Sequence, residues 1–69
     1  MNEEQRFVLL HGFSDEELSK VMKACRAALP EKEFVFAVTT PTNMQWKVGD
    51  LMEEVVKEHE FMKKQRGNS

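Results

Sequence analysis

The sequence predicts a small two-layer α/β fold of order strand, helix, strand, helix, and three features predict it. Two apolar runs, Phe7-Val8-Leu9-Leu10 and Phe34-Val35-Phe36-Ala37-Val38, show no alternation, the signature of parallel strands sheltered on both faces. Each is followed by a stretch whose apolar residues recur three and four positions apart, the period of an amphipathic helix. Between the first run and its helix lies Phe13-Ser14-Asp15-Glu16-Glu17-Leu18, a nearly complete helix-start signal.

Taken in order, the first strand covers Phe7 to Leu10 and reaches toward His11, and Gly12 ends it. Ser14 and Glu17 are spaced to cap the next helix reciprocally, with Phe13 placed to pack on Leu18. That helix runs from about Asp15 to Ala28, with Leu18, Val21, Met22, Cys25, Ala28 and Leu29 as its apolar stripe. Pro30 stops it, because the residue before a proline is pushed out of helical geometry. Glu31-Lys32-Glu33 forms a charged turn, and the second strand spans Phe34 to Val38, extended by Thr39-Thr40. Pro41-Thr42-Asn43 breaks the pattern, and Thr42 with Gln45 is spaced to cap a short turn carrying Trp46. The second helix is expected from about Val48 to Gln65, burying Val48, Leu51, Met52, Val55, Val56, His59 and Met62. Gly67 marks its exit.

At 69 residues the chain holds one domain, 1–69, with 1–5 and 67–69 as loose termini. A domain of this size buries only about 60% of the surface its unfolded chain exposes. The net charge of −2 comes from mixed signs and gives no general pull toward nucleic acid or anionic membrane. Cys25 is the lone cysteine, so an internal disulfide is excluded and a cytoplasmic setting is expected. The acidic start Met1-Asn2-Glu3-Glu4-Gln5 is unlike a secretory signal, and no apolar run nears the roughly 20 residues of a membrane span.

Several separated segments carry a resemblance. Val8-Leu9-Leu10-His11-Gly12-Phe13-Ser14-Asp15-Glu16-Glu17-Leu18, Phe36-Ala37-Val38-Thr39-Thr40-Pro41-Thr42-Asn43, Trp46 and Leu51-Met52-Glu53-Glu54 together resemble a family of short bacterial proteins of the domain-of-unknown-function type. The resemblance spans about Phe7 to His59 and implies a small α/β domain with no activity, cofactor or catalytic residue to carry over. Lys47 stands where a helix-capping residue is expected after the tryptophan.

Chemistry-bearing constellations are few. His11-Gly12 after an apolar strand looks like the oxyanion-loop approach of α/β-hydrolases, but no Gly-x-Ser-x-Gly elbow follows, and Ser14, Ser19 and Ser69 are the only serines. His11, His59 and Cys25 fall on separate elements: His59 lies about 17 Å along the second helix from its start, so no metal site is expected. Cys25, on a helical stripe without a cationic neighbour, reads as a small hydrophobe. Glu58-His59-Glu60 points its side chains about 100° apart, which cannot converge on a substrate. Lys63, Lys64 and Arg66 complement the helix dipole, without the interleaved aromatics that stack bases.

No catalytic residue, metal or cofactor is therefore expected, and the chain is read as a non-enzymatic interaction module. Two strands with open edges need more cover than two short helices readily supply, which predicts a homodimer or a larger protein partner that extends or covers the sheet. Phe7, Leu9, Phe34 and Phe36 are the expected interface on a strand face. The alternative is a small-ligand edge at the carboxyl ends of the strands, formed by His11, Gly12, Thr40, Asn43 and Trp46 with Thr39, Thr42 and Gln45 nearby. A nucleic-acid contact through the basic C-terminal turn ranks third.

Overall fold

A computed structural model describes residues 3–67, and residues 3–64 with their side chains. Strand β1 is Gln5–Leu10, helix α1 Asp15–Ala28, strand β2 Glu33–Val38 and helix α2 Val48–Gly67, with a short 3-10 turn at Asn43–Gln45. The chain is thus a small α/β fold in the predicted order. It divides into two compact units, Met1–Thr39 and Thr40–Ser69.

In the first unit β1 and β2 pair in parallel, from Gln5 opposite Glu33 to Leu10 opposite Val38. Glu33 N–H donates to the Glu4 carbonyl at 2.9 Å and Thr39 N–H to the Leu10 carbonyl at 3.0 Å, closing the ladder at both ends. These two bonds set its phase. Even-numbered residues of β1 turn their backbone groups toward β2, and odd-numbered ones turn them outward. Both strands begin earlier than the apolar runs do. Gln5, expected in a loose terminus, is 4% exposed, and its side-chain amide donates to the Glu33 carboxylate at 3.3 Å. Lys32 pairs with Glu4 at 3.2 Å beside it. A polar clasp at the amino end therefore lengthens the sheet where hydrophobicity gave no sign of it.

Partners across a parallel ladder share a face, so the register decides which side chains look the same way. Phe7 and Leu9 lie with Val35 and Ala37, whereas Val8 and Leu10 lie with Phe34, Phe36 and Val38. Val35 is wholly buried, and Ala37 and Leu10 nearly so. On the other side of β2 the rings of Phe34 and Phe36 stack with centroids 5.6 Å apart, and the Arg26 guanidinium of α1 sits 5.2 Å from the Phe36 centroid.

Helix α1 begins as the sequence implies. Glu17 N–H donates to Ser14 Oγ at 3.2 Å, and Ser14 N–H donates to the Glu17 carboxylate at 2.8 Å. Leu18, Val21, Met22 and Cys25 are half-buried, but Ala28 and Leu29 at the end of the stripe are exposed. Periodicity chooses the side a residue takes; burial also needs an element opposite it. In the second unit α2 shows the same correction. Leu51 is buried and Met52, Val55, Val56 and His59 half-buried, but Val48 and Met62, expected in the stripe, are 65% and 54% exposed. The helix also continues through Gly67, where an exit was expected; Asn68 and Ser69 lie outside the described residues.

Candidate functional site

The residues expected at the carboxyl edge fall into small local sets. In the first unit His11 Nδ1 lies 2.7 Å from Thr39 Oγ1, tying the residue after β1 to the residue after β2. Gly12 takes φ +86°, a left-handed backbone that only glycine enters without strain, and this turns the chain from β1 into α1.

In the second unit Thr40 and Asn43 bond each other reciprocally. Thr40 N–H donates to Asn43 Oδ1 at 2.7 Å, and Asn43 N–H donates to Thr40 Oγ1 at 3.0 Å. Met44 N–H donates to the Thr40 carbonyl at 3.0 Å, so Thr40 acts as the cap of this turn. The expected pairing of Thr42 with Gln45 is not the cap, since Thr42 makes no side-chain capping bond. Pro41 explains the choice: directly after Thr40 it takes the first position of the turn, where its missing N–H costs nothing. That signal was present in the sequence.

Trp46, 44% exposed, borders an open cleft of about 560 Å³ with Pro41, Thr42 and Gln45. Met44 is exposed as well. A second open cleft, about 430 Å³, lies along α2 between Lys57, Glu58, Phe61 and Met62. Phe61 is 61% exposed, and no periodic pattern marked it, because it sits off the buried stripe. Both helices carry exposed pairs, Glu16 with Lys20 on α1 and Glu53 with Lys57 on α2, each at 3.5 Å. Such pairs contribute little.

The four residues expected on one strand face are divided by the register. Phe7 and Leu9 look to the Val35 side and Phe34 and Phe36 to the opposite side, so they do not form one surface. Leu9 is 43% exposed and Val38 is 40% exposed, while Phe7, Phe34 and Phe36 are half-buried. Cys25 is a half-buried free thiol, and no cluster of metal-ligating side chains occurs among the described residues. Lys63 and Lys64 are exposed; the Arg66 side chain lies outside the described residues. No helix of the described residues is long and apolar enough to cross a membrane.

A family model matches residues 6–62, most of the chain and parts of both compact units. The chain belongs to DUF3783, a domain of unknown function. No curated protein and no solved structure matches this DUF3783 chain.

Proposed function

We propose that this DUF3783 chain is a non-enzymatic protein-interaction module of the cytoplasm that self-associates by extending its sheet. The observation that carries the reading is the sheet itself. Each strand has one strand neighbour among the described residues, and the apolar Leu9 stays two-fifths exposed at the carboxyl end of β1. An isolated pair of strands is marginal, and an open edge is a template for another strand. The cytoplasmic setting rests on a small fold held without disulfides, with Cys25 as a free thiol.

The ligand-binding alternative at His11, Gly12, Thr40, Asn43 and Trp46 has less behind it. His11 is engaged with Thr39, and Thr40 and Asn43 with each other, so their polar groups serve the turns that hold them. Light scattering across the micromolar range tests self-association. The expected result is a mass rising from monomer to dimer with concentration, and a monomer mass at every concentration would overturn the reading.

A further inference from the structure

We infer that the outward edge of β1 is the site where a second copy of this chain adds its own β1, antiparallel and centred on Val8, with Arg6 stopping the added ladder at Gln5. The inference rests on the self-association proposed above and names its surface. The phase of the β1–β2 ladder turns the N–H and C=O groups of Gln5, Phe7 and Leu9 away from β2. Arg6, exposed, folds its guanidinium back along that edge: Nη1 donates to the Glu3 carbonyl at 2.7 Å and to the Gln5 carbonyl at 3.0 Å. The first part of the edge is thereby satisfied by a cation of its own strand, a common guard against unwanted pairing. Among the described residues no hydrogen bond occupies the outward groups of Phe7 and Leu9, which remain the open portion.

The open portion is self-complementary. A two-fold axis through Val8 sets Phe7 against the partner's Leu9 and Leu9 against the partner's Phe7, each pair exchanging both backbone bonds. It also lays Phe7 beside the exposed partner's Leu9, an aromatic–aliphatic cross-strand pair. Charges are compatible, because Arg6 then faces the partner's Leu10 and Glu4 the partner's Gly12. Centring on Arg6 would oppose two cations, and centring on Phe7 would require the Gln5 carbonyl that Arg6 holds. Centring on Leu9 pairs Phe7 with the partner's His11, which lies beyond the strand. Val8 alone joins the open groups to each other within the strand. Such a contact is smaller than the roughly 1,000 Å² of a specific stable interface, so the dimer exchanges with monomer as concentration falls.

Sedimentation velocity on the full chain and four variants tests this. Leu9→Pro removes an outward donor and no bond of the β1–β2 ladder, so it is expected to abolish the dimer while thermal unfolding still reports a folded protein. Leu9→Lys is expected to do the same, and Val38→Lys, as exposed but on β2, to leave the dimer intact. Arg6→Ala removes the cation that holds the Gln5 carbonyl, so the longer register centred on Phe7, which pairs Gln5 with the partner's Leu9, is no longer blocked by it, and association is expected to tighten about tenfold. If the native chain dimerises and folded Leu9→Pro and Leu9→Lys still do, the β1 edge is wrong and self-association stands. If Arg6→Ala weakens the dimer, Arg6 is not a stop. A native chain that never dimerises overturns the self-association reading, and the assignment of this edge with it.

Discussion

Two glycines separate backbone conformation from contact. Gly12 has φ +86°, and a Cβ built there meets nothing within 4 Å, so its value lies in the backbone alone. Gly49, in the first turn of α2, also has open space around a Cβ, but its φ is not left-handed. Gly12→Ala is therefore expected to lower stability by about 1 kcal/mol, and Gly49→Ala to raise it by about 0.5 kcal/mol. Urea unfolding of the two variants reads both signs; equal shifts would deny the left-handed turn its role. Gly12 was legible in the sequence because it interrupts an apolar run just before a capping box. Met62 was not legible as exposed, since side-chain type records preference and cannot record what stands opposite.

At the level of elements, capping decided where helices and turns begin. Ser14 was readable because one spacing, Ser14 to Glu17, competed with no other. Around Trp46 the polar spacing pointed to Thr42 with Gln45, whereas Pro41 at the first position selects Thr40. Thr40→Ala is accordingly expected to cost about 1 kcal/mol and to shift Trp46 emission, the turn being its support. Thr42→Ala should stay within about 0.5 kcal/mol. The reverse order in thermal unfolding and fluorescence would return the cap to Thr42. Strand extent shows a different limit: β1 starts at Gln5 through side-chain pairing with Glu33, which leaves no hydrophobic trace.

Across the molecule, unstriped apolar strands correctly announced a parallel pair, and the order of elements followed from them. Which side chains share a face did not follow, because a run without alternation carries no phase; the register supplied it and parted Phe7 and Leu9 from Phe34 and Phe36. The functional account depends on that phase, since it decides which amides of β1 point away from β2. Amide hydrogen exchange at low and high protein concentration reads those amides one by one. The account predicts that Phe7 and Leu9 exchange freely when dilute and become protected on concentration, while Val8 and Leu10, bonded within the ladder, are protected throughout. Phe7 and Leu9 amides that exchange at the same unprotected rate at every concentration would contradict it.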